Sequence, residues 1–359
     1  MGDELPLLGP RSSLARLPEA LVRRPRLDSL LADGARRQVT LISAPPGSGK
    51  TTLVTAWLAS RRRRDVMLTV DARDNERDQL AGVIVAALVD RGAVVPEQID
   101  ATLPGTTLLD AAFAQLEKRS KRVLVLDDLQ ELSSRHALRT LAYLVERAPA
   151  PLDLVLCSRA DPPIRLTRLR LEDRLAEIRN DSLAFDLAET STLLTAHGLA
   201  LTRAQVQALW RRTEGWVAGL RLAACALQGE ADPAEFVQGA AGTETAIADY
   251  LLKELLTRQD EAIQQFMLRT SVVGRLTPDL AEVLTGDAAV SRRLGELERN
   301  GVFLAELEDR TWYRYHSLFA TLLEARLRQQ HRDLADELHR RATTWFIAND
   351  MPGEAEVHA

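Results

Sequence analysis

A glycine-rich segment between a predicted strand and a predicted helix constrains this chain more than any other feature. It covers residues 44–52 and reads APPGSGKTT. Residues 39–43 before it are β-branched and apolar, which predicts a strand, and residues 50–60 after it have a helical pattern. A glycine loop that ends in Lys-Thr in this setting predicts a P-loop, a structure that cradles the phosphates of a nucleotide.

Each part of the loop has an expected task at the phosphates of ATP or ADP. Gly47 and Gly49 let backbone N–H groups curl around a phosphate, and the helix N-terminus adds partial positive charge. Lys50 is expected to reach the β- and γ-phosphates, and Thr51 to place its hydroxyl on Mg²⁺. The loop residues predicted to bind the nucleotide are Pro46, Gly47, Ser48, Gly49, Lys50, Thr51 and Thr52.

One residue departs from the strict pattern, because Ala44 stands where a P-loop has its first glycine. The alternative interpretation is a chance strand–turn–helix with a surface lysine. Composition argues against that alternative, since only four of the 46 basic residues are lysines. A lysine at a motif position is a strong signal in a chain that uses arginine almost everywhere else.

A second acidic motif supports the P-loop. Residues 123–126 are apolar and end in Asp127 and Asp128, which predicts a Walker B strand. Asp127 is expected to hold Mg²⁺ through water, and Asp128 to orient the attacking water. Arg159 follows another predicted strand, residues 154–158, and is either a sensor of the γ-phosphate or a surface loop arginine. The predicted catalytic residues are Lys50, Asp127, Asp128 and Arg159.

The order of predicted elements indicates an α/β P-loop NTPase domain with a parallel sheet and helices on both faces, over residues 1–185. Its strands are predicted at 39–43, 67–71, 123–126 and 154–158. Helices follow, with capping boxes at Asp186/Glu189 and Thr202/Gln205 and a helix start at Thr277-Pro278. Three further domains are expected: a helical domain at 186–258, a winged-helix domain at 259–330 and the start of a helical-repeat segment at 331–359. The winged-helix domain is expected to contain a hairpin of strands 302–307 and 312–316.

Composition places few further limits. The net charge of −5 does not favour a nucleic-acid-coated surface. Cys157 and Cys225 lie in apolar contexts without metal-ligand spacing, as small buried residues do in a reducing compartment. No run of 18 apolar residues or signal peptide is apparent, so the sequence predicts a cytoplasmic protein without a membrane partner. The arginine run 61–64 ends a predicted helix and is expected to be a solvated terminus.

Several segments, taken together in their order and spacing, resemble one protein family. The chain is similar to MalT-type members of the LuxR superfamily, which are transcriptional regulators among the signal transduction ATPases with numerous domains. Alanine in place of the first P-loop glycine is normal in that family. The segments that carry the resemblance are LVRRPRL at 21–27, the P-loop at 43–53, LVLDD at 124–128, SRADPP at 158–163, RTEGWVAGL at 212–220, FMLRTS at 266–271 and YRYHSLF at 313–319.

The resemblance implies a molecular switch that rests with ADP, becomes active and self-associates with ATP and an inducer, and is reset by slow hydrolysis. It places His316 near the ADP β-phosphate, whereas the alternative for His316 is a packed or surface histidine after a strand. It also places residues 22–26 near the adenine. DNA binding is expected only through a C-terminal domain outside this chain, and the inducer is unknown.

Two other functions stay open at this stage. The first is a constitutive P-loop ATPase that does mechanical or chaperone-like work with steady turnover. The second is a scaffold with a vestigial nucleotide site, which the intact Lys50, Thr51, Asp127 and Asp128 disfavour.

Overall fold

The computed structural model describes residues 17–34, 36–61, 65–100, 103–116, 121–228, 256, 259–299, 304–306, 312–315, 317–351, 354–355 and 358. The chain divides into two compact units, Met1–Leu183 and Ala184–Ala359. The four-part division expected from the sequence is finer than these units and stays a prediction.

The first unit is built on a five-stranded sheet in the order β2-β3-β4-β1-β5, and every pair of neighbouring strands is parallel. The predicted α/β class is therefore confirmed. The strands are β1 Val39–Ser43, β2 Val66–Thr69, β3 Arg122–Asp127, β4 Leu152–Ser158 and β5 Leu175–Arg179. The helices of this unit are α1 Pro25–Gly34, α2 Lys50–Ala59, α3 Gln79–Asp90, α4 Gly105–Leu116, α5 Arg135–Arg147, α6 Leu166–Leu171 and α7 Asn180–Leu183.

Helices cover both faces of this sheet, as predicted. Successive strand residues point to opposite faces, so Leu124 and Leu126 join one core and Val123 and Val125 join the other. The first core is closed by apolar residues of α3, α4 and α5, and the second by those of α1 and α2. Burial on both sides explains why β1, β3 and β4 are buried at every position and apolar without alternation.

The strand register brings several carboxyl ends to one edge of the sheet. Ser43 at the end of β1 lies beside Ser158 of β4 and Arg179 of β5. Thr69 of β2 lies beside Asp127 of β3. Loops that leave these strand ends must therefore meet above the same edge, which is where open α/β sheets bind ligands.

Two strand predictions differ from the structure. The strand predicted at 67–71 ends at Thr69 because Asp71 caps a short 3₁₀ helix, Ala72–Asn75, through a reciprocal capping box with Asp74. The edge strand β5 was not predicted. Its residues include Glu177 and Arg179, which are exposed or half-buried, so it lacks the continuous apolar character that marked the other strands.

The described part of the second unit is mostly helical and also contains a hairpin. Its helices are α8 Leu187–Ala196, α9 Arg203–Thr213, α10 Val217–Gln228, α11 Glu261–Thr270, α12 Pro278–Thr285, α13 Val290–Arg299, α14 Ser317–Gln330 and α15 Arg332–Ala348. Both predicted capping boxes are formed, at Asp186 with Glu189 and at Thr202 with Gln205. Thr277 caps α12 with proline at the first position, as predicted.

Helices α11 to α13 precede a two-stranded antiparallel hairpin, β6 Leu304–Glu306 and β7 Tyr313–Tyr315. Both strands lie within the predicted ranges 302–307 and 312–316, whose outer residues 302, 303, 307 and 316 are outside the described residues, as is the expected turn 308–311. The core of this unit is apolar, with Phe319 and Phe346 fully buried. Helix α15 ends at Ala348, and Asp350 follows it in the left-handed region. Among the described residues, no helix has the length and apolar character to cross a bilayer.

Candidate nucleotide-binding site

The predicted P-loop connects the end of β1 to the start of α2. Gly47 and Gly49 have φ values of 74° and 85°, in the left-handed region that glycine adopts without a steric penalty. Gly49 is also the residue before the first turn of α2. The loop therefore turns sharply into a helix N-terminus, the arrangement that presents backbone N–H groups to an anion.

Lys50 is buried, and its ammonium group lies against the loop itself. Its Nζ donates hydrogen bonds to the carbonyl oxygens of Ala44 at 2.6 Å and Pro45 at 3.0 Å. Burial lowers the pKa of Lys50, while the nearby charges of Asp127 and Asp128 raise it and that of Arg159 lowers it. The charges of the other three predicted catalytic residues, Asp127, Asp128 and Arg159, thus all act on the Lys50 ammonium group.

Thr51 meets the Walker B carboxylate across the sheet edge. Its Oγ1 donates to Oδ2 of Asp127 at 2.7 Å, although β4 lies between β1 and β3. The other oxygen, Oδ1, accepts from the backbone N–H of Asp128 at 3.0 Å. Burial raises the pKa of Asp127, and the hydrogen bond from Thr51 opposes that shift.

This hydroxyl and carboxylate suit Mg²⁺, which prefers oxygen ligands and is commonly held by one or two protein groups together with phosphates. Within the described ranges, no cluster of three or more His, Cys, Asp or Glu residues could hold a metal ion by itself.

Asp128 and Arg159 are joined by a side chain that the sequence did not point to. Gln130 donates from Nε2 to Oδ1 of Asp128 at 2.8 Å and accepts at Oε1 from the backbone N–H of Arg159 at 3.1 Å. Gln130 lies in a 3₁₀ helix, Leu129–Glu131, directly after β3. Its only sequence signal is its position just past the Walker B acids.

A second missed residue, Asn180, lies at the P-loop. Ser48 donates to the carbonyl oxygen of Pro45 at 2.8 Å and contacts Oδ1 of Asn180 at 3.2 Å. The Ser48 side chain thus supports the loop, and only its backbone N–H is directed by the motif toward a phosphate. Asn180 was missed because it follows β5, the strand that was not predicted. Pro46 and Thr52 are partly exposed, in the loop and in the first turn of α2.

Charged residues at the end of β5 form an ion-pair network beside Ser43. Arg170 and Arg179 each contact both Asp161 and Glu177. Hydrogen bonds from Arg170 and then from Arg179 lower the pKa of Glu177 to about 2, against the opposing effect of burial. This network anchors the edge strand next to the P-loop strand.

Two predictions cannot be placed at the site. His316 lies outside the described residues, so its role near the nucleotide stays a prediction. Of the arginine run 61–64, only Arg61 is described; it pairs with Asp65 at 2.9 Å and lies over the Trp57 ring. That position fits a solvated helix end.

Two segments of the chain match known domain families. Residues 33–162, which contain the P-loop and both Walker B acids, match the AAA domain. Residues 252–335, which contain α11 to α14 and the hairpin, match the MalT winged helix domain. This chain carries an AAA domain followed by a MalT winged helix domain. The resemblance to MalT-type regulators is confirmed.

Two longer proteins are similar in sequence to nearly the whole chain. The chain is 34% identical over 354 residues to the serine/threonine-protein kinase PknK of Mycobacterium tuberculosis, covering 95% of this chain and 32% of that protein. It is 31% identical over 349 residues to the HTH-type transcriptional regulator MalT of Serratia proteamaculans, covering 94% of this chain and 38% of that protein. The chain thus spans about a third of the length of each relative.

Solved structures support the fold. A Walker-type ATPase of Pyrococcus abyssi superposes with a TM-score of 0.60 at 14% identity, covering 86% of this chain and 97% of that protein. At that identity the match concerns the fold alone, and it agrees with a P-loop ATPase architecture.

Proposed function

We propose that this chain is the nucleotide-switch part of a bacterial transcriptional regulator, resting with ADP and active with ATP and an inducer. The contact that carries the proposal is the 2.7 Å hydrogen bond between Thr51 and Asp127. It joins the P-loop to the Walker B strand at one point, next to the buried Lys50. The burial of two charged side chains, Lys50 and Asp127, at one sheet edge is explained by a ligand with phosphates and a divalent cation.

The binding roles follow from chemistry and position. The loop N–H groups of residues 46–52 and the N-terminus of α2 bind the phosphates, and Lys50 moves from the Ala44 and Pro45 carbonyls to the β- and γ-oxygens. Thr51 and Asp127 hold Mg²⁺, which neutralises charge on the phosphates when bound. His316 contacts the β-phosphate of ADP in this proposal.

The reaction is a slow hydrolysis of ATP to ADP and phosphate. Asp128 orients the attacking water, and Arg159 senses the γ-phosphate from the end of β4. Slow turnover suits a switch, since the active state must persist long enough to act. The chain self-associates with ATP, responds to an unidentified inducer and works in the cytoplasm, and it reaches DNA only through a domain outside this chain.

The likeness to PknK favours a second candidate, in which the same switch serves a protein kinase. Each relative matches nearly the whole of this chain over about a third of its own length, so in this proposal the output is set by segments beyond the switch part. The nucleotide chemistry is the same in both candidates.

The first test is to denature the purified chain and identify any nucleotide that is released, beside a Lys50→Ala variant. We expect near-stoichiometric ADP from the wild type and none from the variant, because Lys50 supplies the main charge to the phosphates. Absence of nucleotide together with no measurable ATP or ADP affinity in the wild type would overturn the proposal. Rapid ATP turnover without an inducer would instead support a constitutive ATPase.

Asp128→Asn separates binding from hydrolysis. The amide keeps the size of the side chain but orients and polarises water poorly, so single-turnover hydrolysis should fall at least 100-fold, on the order of the effect of a general base. ATP affinity should stay within about threefold of wild type. Unchanged hydrolysis would remove Asp128 from the water-orienting role.

A further inference from the structure

A cavity of about 310 Å³ lies in the first unit and shares no lining residue with the P-loop. It is formed by the C-terminal part of α5, the residues just before α6, α6 itself and Arg174 before β5. Arg174 donates to the side chain of Gln38 at 2.8 Å, and Gln38 directly precedes β1. The cavity is therefore beside the amino ends of the strands, whereas the candidate nucleotide site is at their carboxyl ends.

Charged side chains form most of the lining, and positive charge is in excess. Four arginines and two glutamates line the cavity, which leaves an excess of two positive charges. One of the carboxylates is already paired, because Glu172 contacts Arg168 at 2.8 Å and Arg174 at 2.9 Å. The arginines are Arg147, Arg165, Arg168 and Arg174, and the glutamates are Glu146 and Glu172.

Two of the arginines can take up a further partner. Among the residues that the structure describes, the guanidinium groups of Arg147 and Arg165 have no hydrogen bond or ion pair, and Glu146 has no ion pair. Arg147 ends α5 and Arg165 directly precedes α6, so they come from different walls. Guanidinium groups bind phosphate and carboxylate groups through paired N–H donors. Two such groups at one cavity suit an anion with two negative charges.

Apolar side chains accompany these charges. Val145 and Leu169 are buried, Ile164 is half-buried, and all three line the cavity. The volume is at the lower end of the range of about 300–1,000 Å³ for small-molecule sites, which combine apolar walls with a few charged groups. A ligand that uses both parts of the lining needs an apolar body as well as its charged group.

We propose that this cavity is a second ligand site, which binds a small organic dianion: an apolar body that carries a phosphate monoester or two carboxylates. Arg147 and Arg165 bind the anionic group, and Val145 and Leu169 contact the apolar body. The site does not depend on the proposed nucleotide function, because its lining contains no residue of the P-loop or of β3.

The test uses the full chain and four probes that separate charge from apolar body. Phenyl phosphate and phenylsuccinate are dianions with an aromatic ring, benzoate is a monoanion with the same ring, and inorganic phosphate has no ring. Binding is followed by ligand-observed NMR at low ionic strength and a pH of about 8, where phosphate monoesters are doubly charged and screening is weak. ADP and Mg²⁺ are present in excess, so that the P-loop is closed to the probes.

We expect at least one of the two aromatic dianions to bind with a dissociation constant below about 1 mM, and benzoate and inorganic phosphate to bind at least about tenfold more weakly. A preference for phenyl phosphate identifies a phosphate monoester as the ligand class, and a preference for phenylsuccinate identifies a dicarboxylate. The inference fails if neither dianion shows saturable binding up to about 10 mM, or if benzoate binds equally well.

Two double variants that remove the same charge test where the dianion binds. Arg147→Gln with Arg165→Gln should weaken the preferred dianion at least about tenfold, because both charge-assisted contacts are lost. The matched control is Arg36→Gln with Arg139→Gln, which removes two arginines outside the cavity and should change affinity less than about twofold. All four side chains are exposed, so the melting temperatures should stay close to that of wild type. Equal losses in the two double variants would indicate an effect of net charge and would overturn the inference.

Glu146→Gln should change affinity in the opposite direction. Its carboxylate lines the cavity and repels an anion there, so the neutral amide should raise affinity for the preferred dianion about threefold. A variant that only disturbed the cavity would lose affinity instead. Affinity equal to or below that of wild type would count against an anionic group beside Arg147 and Arg165.

Lys50→Met separates this cavity from the P-loop. The variant should bind the preferred dianion with wild-type affinity, because Lys50 is at the other edge of the sheet. Loss of binding in Lys50→Met, with none in the variant of Arg147 and Arg165, would place the probe in the P-loop and contradict the inference. If the wild type binds neither ATP nor ADP, the proposed function fails, while the arginine variants still decide whether this second site exists.

Discussion

The two units differ in how they use buried charge. In the described part of the first unit, six charged residues are buried, whereas in that of the second unit only Glu189 is. The six are Arg24, Lys50, Asp74, Arg122, Asp127 and Asp153. Burying a charge is unfavourable unless it is well paired or serves a ligand, so the first unit is where ligand chemistry is expected.

Buried polar groups of the second unit are explained by their neighbours in sequence. Thr190, Thr213 and Thr270 each donate from the hydroxyl to the carbonyl four residues earlier. Ser271 donates to the carbonyl three residues earlier, and Glu189 completes a capping box. These bonds satisfy helix backbone groups, and Thr270 also shares a hydrogen bond of 2.9 Å with the hydroxyl of Tyr315 in the same core.

Lys50 and Asp127 have hydrogen-bond partners of a different kind. The Lys50 ammonium group lies against carbonyl oxygens of the P-loop. Asp127 accepts from the hydroxyl of Thr51, which lies in the first turn of α2 and far from Asp127 in sequence. Burial shifts the pKa of each away from the charged form. The comparison indicates that a buried polar group with a hydrogen bond across the sheet edge belongs to a functional site. A buried polar group bonded within its own helix serves the stability of the fold.

The largest expected effect is a loss of stability in the second unit, with nucleotide binding by the first unit unchanged. Phe319 is fully buried in the apolar core of the second unit, so Phe319→Ala should reduce the free energy of unfolding by about 3–5 kcal/mol. Denaturant titration measures this loss. ATP affinity at a temperature where the variant is folded should stay at the wild-type value, since the proposed contact of His316 is with ADP; a parallel loss of ATP affinity would contradict the division of roles.

A pair of lysines tests the first unit next. Lys50→Met should weaken nucleotide affinity by about 10- to 100-fold, the value of a charged hydrogen bond of about 1.5–3 kcal/mol. Stability without nucleotide should not fall, because the buried ammonium is replaced by an apolar group of similar shape. Isothermal titration and denaturant unfolding measure the two quantities.

Lys121→Met is the matched control for Lys50→Met. Lys121 is half-exposed and lies 3.0 Å from the buried carboxylate of Asp153. Removing it leaves that carboxylate poorly paired, which should cost about 1–3 kcal/mol of stability while nucleotide affinity is unchanged. If both lysine variants lost the same property, buried charge would not distinguish function from fold here.

Two threonine variants compare nucleotide affinity and stability in the same way, with smaller expected effects. Thr51→Val removes the hydroxyl that contacts Asp127, and Thr213→Val removes the hydroxyl that donates to Leu209 at 2.9 Å. We expect about a tenfold loss of magnesium-dependent nucleotide affinity for the first, about 1.4 kcal/mol. The second should lose only about 1 kcal/mol of stability. Equal nucleotide affinity in the two variants would remove Thr51 from the site.

The smallest effect concerns charge that is only partly buried. Glu177 has its pKa lowered from 4.5 to about 2 by Arg170 and Arg179, so its stabilising contribution is present above pH 4.5 and is lost as the pH falls toward 2. Its size should be below about 1 kcal/mol because the side chain is partly solvated. Glu177→Gln should therefore flatten the acid side of the stability–pH curve, measured by denaturant midpoints between pH 6 and pH 2.5. A slope equal to that of wild type would show that the network contributes nothing.

Features that depend on neighbours in sequence could be predicted from the sequence. The P-loop, the Walker B acids, both capping boxes and the proline at the start of α12 were all recognised from spacing of a few residues. Their partners are three or four residues away or belong to one loop, so the pattern itself contains the interaction. Continuous apolar character also identified the three central strands, β3, β4 and β1, within a residue or two of their ends.

What only the tertiary structure decided is which of these pieces meet. Thr51 reaches Asp127, although β4 lies between β1 and β3, because the carboxyl ends of these parallel strands meet at one edge of the sheet. Gln130 and Asn180 joined the site for the same reason, since each is supplied by a strand end far along the chain from its partner. The sequence determined the chemistry of the nucleotide loop by itself. The packing of parallel strands determined the rest of the site, because contacts between distant residues are set by strand order and register, which no local pattern specifies.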